Sequence, residues 1–206
     1  MPRNPFLKAQ RHLGASDKVL KEVIARVGPC TLTYNPDGFG VLARAIVSQQ
    51  ISSKAALAIS GRLQETLGAS GICPAAILRA KDERLRAAGL SASKTLSLRD
   101  LAEHCRTGKI NFDELPELDD EEVIARLIPV RGIGRWTAEM FLIFSLGRPD
   151  VLPLADYGLR AGVQKNYALP EIPVKQVLTD LAEPWRPYRS IATWFIWRSL
   201  GNVPQS

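Results

Sequence analysis

Apolar residues return about every three to four positions through most of the chain, the period of an α-helix with one buried face. From Asp17 to Val27 they fall at Val19, Leu20, Val23, Ile24 and Val27, and Gly28-Pro29 closes the segment. The same rhythm runs through Phe39 to Gln50, with Phe39, Leu42, Ala43, Ile46 and Val47, and through Ser52 to Leu67, which stops at Gly68. Pro74 suits the first turn of a short helix through Ala80, and a further short helix ends at Gly89. Ser93 to Cys105 carries Leu98, Leu101, Ala102 and Cys105 on one face, while Asp119 and Glu122 form a capping-box pair ahead of Val123, Ile124 and Leu127. Arg135 to Leu146, Tyr157 to Tyr167, Val174 to Leu181 and Pro187 to Leu200 continue the pattern. Period-two alternation of β-branched residues is short everywhere. The pattern predicts an all-α fold of about ten helices, the first beginning near Asp17. The loops Tyr34 to Gly38 and Gly147 to Asp150 are too short for free linkers. They divide one compact unit, 1–206, into a lobe from about 38–147 and a second lobe from 1–37 plus 148–206.

Composition narrows the setting. With 206 residues, 46% of them hydrophobic and 23% charged, the chain can bury a sizeable core. Its longest apolar stretch, Met140 to Leu146, is far too short to span a bilayer, and Met1-Pro2-Arg3-Asn4-Pro5 opens no signal-type apolar region. Three widely spaced cysteines, Cys30, Cys73 and Cys105, fit reduced thiols better than a disulfide set, and two histidines argue against a zinc site. The expected location is therefore intracellular: cytoplasm and nucleoid, or a nucleus. A net charge of +6 favours polyanions, nucleic acid first, although many basic proteins bind none.

Between two helical segments stands Leu127-Ile128-Pro129-Val130-Arg131-Gly132-Ile133-Gly134-Arg135-Trp136-Thr137-Ala138. A helix end needs one glycine at most. Two, separated by an apolar residue, suggest a tight hairpin whose backbone something approaches closely. Unpaired N–H groups and the positive dipole end at the start of the second helix would make an anion site, with Arg131 and Arg135 adding charge. The alternative is a helix–helix corner that binds nothing.

The hairpin segment closely resembles the signature of helix-hairpin-helix DNA glycosylases. Gly147-Arg148-Pro149-Asp150-Val151-Leu152-Pro153-Leu154-Ala155-Asp156-Tyr157-Gly158-Leu159 looks like that superfamily's Gly/Pro-rich loop ending in an aspartate. Arg44-Ala45-Ile46-Val47-Ser48-Gln49-Gln50-Ile51-Ser52 and Glu183-Pro184-Trp185-Arg186-Pro187-Tyr188-Arg189-Ser190 both look like the 3-methyladenine DNA glycosylase II branch. The resemblance covers nearly the whole chain, with the motifs in the family's order.

That resemblance implies two helical lobes with an active-site cleft between them and a monomer acting on double-stranded DNA that contains alkylated bases, with no membrane partner. It implies base excision repair: hydrolysis of the N-glycosidic bond of alkylated purines, of the 3-methyladenine and 7-methylguanine type, flipped out of the duplex. Asp156 would be the catalytic carboxylate; read alone, it is also a good N-cap ahead of Tyr157-Gly158-Leu159. Trp136 stands where strand-cleaving relatives such as endonuclease III carry a nucleophilic lysine, and an indole cannot form a Schiff base, so no lyase activity is expected. Trp136, Tyr157, Trp197 and Met140 would line the substrate pocket, although a lone tryptophan on a helix is commonly core. Arg131, Gly132, Ile133, Gly134, Arg135 and Thr137 would meet DNA backbone. Gln50, with Ile51 beside it, would be the wedge that fills the hole left by the flipped base, the plain alternative being helix capping.

No cofactor is required on this reading, though the carbonyls of Ile128, Val130 and Ile133 could hold a structural monovalent cation. No cysteine cluster follows Asp156, so no iron–sulfur cluster is expected. The chain departs from the branch at Ala155, where a second acidic residue is common, and at Met140, where an aromatic is. Trp185, Trp194 and Phe195 are expected in the core. Competing readings are a non-catalytic helix-hairpin-helix DNA-binding protein, a bifunctional lyase, and a glycosylase for another base lesion.

Overall fold

Side chains that cap helix N-termini account for half of the α-helix starts in the computed structural model, which describes residues 5–201. The expectation for Met1 to Asn4 lies outside them. Twelve α-helices occur among the described residues. They are α1 (Leu7–Ser16), α2 (Lys18–Val27), α3 (Gly38–Ser48), α4 (Ser53–Leu67), α5 (Pro74–Arg79), α6 (Asp82–Ala87), α7 (Ala92–Arg106), α8 (Asp120–Leu127), α9 (Arg135–Phe144), α10 (Tyr157–Asn166), α11 (Lys175–Leu181) and α12 (Arg189–Ser199). Asp17, Asp37, Ser52, Ser91 and Asp119 each accept an N–H from the first turn of α2, α3, α4, α7 and α8. The capping box is complete: Glu122 N–H donates to Asp119 at 2.8 Å and Asp119 N–H returns to Glu122 at 2.9 Å.

One compact unit is Asn35–Leu146. Its centre is α3, which buries Phe39, Val41, Leu42, Ala43, Ile46 and Val47 against α4, α7 and α9. The second central helix, α9, is buried without a break from Thr137 to Phe144, Glu139 included, so burial covers every face there and not one stripe. Helices α5 and α6 pack on α7, and α8 packs on α9.

The other unit comprises 5–34 and 147–201. Here α12 is the central helix, buried from Ser190 to Trp197, with α2 and α10 packed against it and α1 against α2. Trp185, Trp194 and Phe195 are buried in this core, as their sequence context suggested. Asp17 ties three elements together. It caps α2 through the Leu20 N–H at 2.9 Å, accepts the Trp185 indole N–H at 2.9 Å, and accepts the Tyr167 hydroxyl. Burial first, and then the Asp17 carboxylate, pushes the Tyr167 phenol far up from its ordinary range, so it remains a donor.

The chain's helices do not begin near Asp17. Helix α1 precedes it, and the sequence signal for it is weak for a physical reason. It fully buries only Ala9 and Leu13, and its N-cap position, Phe6, makes no side-chain capping bond. Two buried positions in ten residues do not make a visible stripe.

Asp17→Ala should lower unfolding free energy by about 2–4 kcal/mol, because it removes a cap worth about 1 kcal/mol and leaves an indole and a phenol donor unpaired. Urea denaturation of the variant beside Tyr167→Phe checks this. Tyr167→Phe removes only one of the three bonds and should cost much less.

Candidate active site

The loop from Gly147 reaches Asp156 under tight control from the start of α12. Arg189 donates to the two carboxylate oxygens of Asp150 at 2.7 and 2.9 Å and to its carbonyl at 2.8 Å, and Arg186 adds a bond at 2.8 Å. The Ser190 hydroxyl donates to the Arg148 carbonyl at 2.7 Å and accepts the Val151 N–H at 2.9 Å; the Ser190 N–H donates to the Pro149 carbonyl at 3.0 Å. Arg186 and Arg189 thus spend hydrogen bonds inside the chain.

At the loop's end Asp156 is the N-cap of α10. Its Oδ1 accepts the Leu159 N–H at 2.5 Å and the Trp197 indole N–H at 2.8 Å. The capping reading of this aspartate is therefore met, by a carboxylate that is only 7% exposed. The helix N-terminus favours its negative charge, and the two N–H donors offset part of the desolvation cost. Gly158 keeps this arrangement uncrowded. A Cβ there would lie 3.3 Å from Asp156 Oδ1 and 3.4 Å from the Trp197 ring.

Trp197, expected as a stacking wall, is 1% exposed and offers Asp156 its N–H edge. Its face is occupied by the core, which is why a stacking role does not follow from its geometry. Tyr157, one residue beyond the carboxylate, is 70% exposed.

The hairpin lies in the Asn35–Leu146 unit. The Val130 N–H donates to Leu127 and the Ile133 N–H to Val130, which folds the chain back after α8. Val130 and Ile133 are buried and anchor the turn from below. The two glycines do different work. Gly132 has φ +80°, and a Cβ on it would come within 2.9 Å of Ser97 Oγ. Gly134 has an ordinary φ of −100°, and a Cβ on it would meet nothing within 4 Å. Gly132 is a requirement of the fold; Gly134 keeps clear the approach to the first turn of α9, to whose N–H groups it supplies no side-chain acceptor.

Arg131 is exposed and its N–H donates to Asp100 at 2.7 Å. Arg135 is engaged by Glu121 and, at 3.2 Å, by Glu139, so its charge is largely spent within the chain. Thr137 and Met140 are buried in α9, and Trp136 is 40% exposed. The Thr137 side chain thus sits in the core and not on the expected contact face. Its polar type hid this, because α9 is buried on every face from Thr137 to Phe144.

In the same unit, Gln50 is exposed with φ +58°, a left-handed conformation uncommon outside glycine, and Ile51 beside it is exposed. Gln49 turns the other way and donates its amide to the Gly132 carbonyl at 2.7 Å. The resemblance singled out Gln50 by position, but nothing in the sequence pointed to Gln49's bond with the hairpin.

Among the described residues no group of three or more His, Cys, Asp or Glu side chains is placed to hold a metal ion, and no helix is long and apolar enough to cross a membrane. Cys30 and Cys105 are free thiols that burial pushes up to about 11, which keeps them protonated and unreactive.

The model of the HhH-GPD superfamily of base excision DNA repair proteins matches residues 43–187. The chain is 38% identical over 197 residues to DNA-3-methyladenine glycosylase 1 of Schizosaccharomyces pombe, covering 93% of this chain and 86% of that one. The structure of the Schizosaccharomyces pombe 3-methyladenine DNA glycosylase in complex with abasic DNA matches with a TM-score of 0.84 at 37% identity, covering 97% of this chain and 99% of that one. A DNA-3-methyladenine glycosidase from Bacillus halodurans matches with a TM-score of 0.85 at 38% identity, over 94% of this chain and 89% of that one. With the glycine hairpin and the capping aspartate in place, these matches make the chain a member of the HhH-GPD superfamily of base excision DNA repair proteins, in its 3-methyladenine DNA glycosylase branch.

Proposed function

We propose that this chain is a monofunctional DNA glycosylase that removes alkylated purines from double-stranded DNA as an intracellular monomer. The observation that carries the reading is the buried Asp156 carboxylate, oriented by Leu159 and Trp197. An alkylated purine such as 3-methyladenine already bears positive charge, so it departs without a proton. The remaining demands are stabilisation of an oxocarbenium-like sugar and activation of water. A carboxylate fixed in one orientation serves both, as a preorganised negative charge and as a base. Asp156 breaks no bond itself: the electrons of the N-glycosidic bond leave with the purine, water adds to the sugar carbon, and its proton passes to the carboxylate.

The hairpin grips phosphate without reading sequence, through the N–H groups at the start of α9 that Gly134 leaves approachable, with Arg131 adding charge. The exposed indole of Trp136 stacks on the cationic base, a contact worth about 1–2 kcal/mol when desolvated. Gln50 enters the space the base vacates, and its left-handed backbone supports this role because strain of that kind collects at functional loops. The carbonyls of Ile128, Val130 and Ile133 are the groups that would hold a monovalent cation under the hairpin. The Val130 carbonyl accepts the Ile133 N–H at 3.0 Å, and a carbonyl oxygen has a second lone pair to offer. Such an ion would fix the turn, and no chemical step passes through it.

Asp156→Asn keeps an oxygen for Leu159 and Trp197 and loses the charge. Single-turnover release of bases from methylated duplex DNA, read as alkali-labile sites, should fall about a hundredfold or more, with unfolding and DNA affinity little changed. Undiminished release would overturn the assignment. The two glycines should separate cleanly. Gly132→Ala should destabilise the fold, whereas Gly134→Ala should unfold normally yet bind every duplex more weakly and with a shallower salt slope. An unchanged slope in Gly134→Ala would contradict the phosphate grip. Borohydride reduction during turnover should trap no covalent enzyme–DNA adduct, and abasic sites should remain uncleaved; a strong adduct would mean that a lysine elsewhere acts as nucleophile.

A further inference from the structure

The hairpin and the Gln50 loop, 83 residues apart in sequence, are joined by a built connection within the Asn35–Leu146 unit. Gln49 spans them directly, its amide donating to the Gly132 carbonyl at 2.7 Å. Beneath both runs one face of α7, on which Lys94, Ser97 and Asp100 follow at intervals of three residues. Lys94 donates to the Val47 carbonyl at 2.7 Å, in the last turn of α3 before the Gln50 loop. Ser97 stands where a side chain at Gly132 would go. Asp100 accepts the Arg131 N–H at 2.7 Å, and His104 Nδ1 lies 2.8 Å from the Asp100 carbonyl. Asp100 thus holds the hairpin backbone directly, Lys94 holds the end of α3 that leads into the Gln50 loop, and Ser97 fills the space beside Gly132.

We infer that Gln49, bonded to the Gly132 carbonyl, is a positioning residue that locks the Gln50 loop to the hairpin, so that gripping phosphate and inserting Gln50 are one coupled event. The inference rests on the proposed function, in which the hairpin holds DNA backbone and Gln50 fills the stack. Its physical content is a fixed offset. When the hairpin takes a phosphate, the exposed glutamine stands at a set distance along the duplex, and the strain at φ +58° is held by neighbours on both sides. Without the Gln49 bond the loop would sample other offsets, and insertion would have to find its register after binding. Ordering that segment would then come out of the free energy of insertion at a lesion.

Gln49→Met preserves length and removes the donor; Gln49 is only partly buried, and a thermal melt establishes that the variant folds. Single-turnover excision is measured for wild type, Gln49→Met, Gln50→Ala and the double variant, on methylated bases in paired and mispaired duplexes. Gln49→Met should slow excision about tenfold on the paired lesion, the worth of one lost hydrogen bond, and clearly less on the mispaired one, whose base is cheaper to extrude. The double variant should be no slower than the slower single variant, because the two residues act as a unit. Affinity for undamaged duplex and its salt slope should stay at the wild-type value. Multiplicative losses in the double variant, equal losses on both duplexes, or wild-type rates for Gln49→Met would each overturn the coupling while leaving the proposed function intact. Wild-type rates for Gln50→Ala would instead remove the wedge role, and the coupling with it. Failure of the wild-type chain to release methylated bases would overturn the proposed function itself.

Discussion

Two N–H groups converge on one oxygen of the Asp156 carboxylate, one from the backbone of Leu159 and one from the indole of Trp197. The first belongs to the helix that Asp156 caps. The second belongs to α12, which also holds the beginning of the same loop through Ser190. Ser190 and Trp197 are seven residues apart, two helical turns, so they lie on one face about 10 Å from each other. Helix α12 therefore fixes both ends of the segment that delivers the carboxylate. Because α12 is buried from Ser190 to Trp197, it cannot tilt without opening the core. Precision at the carboxylate is a by-product of core packing.

The same device occurs a second time in the same unit. Asp17 caps α2 and accepts the Trp185 indole, as Asp156 caps α10 and accepts the Trp197 indole. At Asp17 a third bond from the Tyr167 hydroxyl completes a purely architectural junction. The pairing of capping aspartate and indole is thus a stable structural solution in its own right. On the proposed reading, a catalytic carboxylate installed in it does not burden the fold with an unsupported buried charge.

Much of this was legible along the chain. The long helices, the capping box at Asp119 and the stop at Gly68 follow from spacing and local chemistry alone. Asp156 could be recognised both as a cap and as a motif residue. What was hidden are relations across distance. The Asp156–Trp197 bond spans 41 positions, and an aromatic residue in a sequence shows neither its face nor its edge. Lys94, Ser97 and Asp100 occupy what a periodicity count treats as the polar face of an amphipathic helix, and such faces ordinarily meet water. Here that face meets backbone, and no local pattern distinguishes the two cases. Helix α1 was missed for the opposite reason, since it buries too few positions to leave a stripe.

Gly134 leaves empty space above the start of α9. A contact made there by backbone N–H groups is the same at every phosphate of a regular duplex, since no side chain projects from that position to catch on a base edge. On the proposed reading, successive positions along undamaged DNA are therefore nearly isoenergetic for the hairpin. The chain's residence at each one is governed by counterion concentration, not by sequence. On that reading, a missing methyl group leaves the hairpin's hold on DNA unbiased by sequence and tuned by ionic strength.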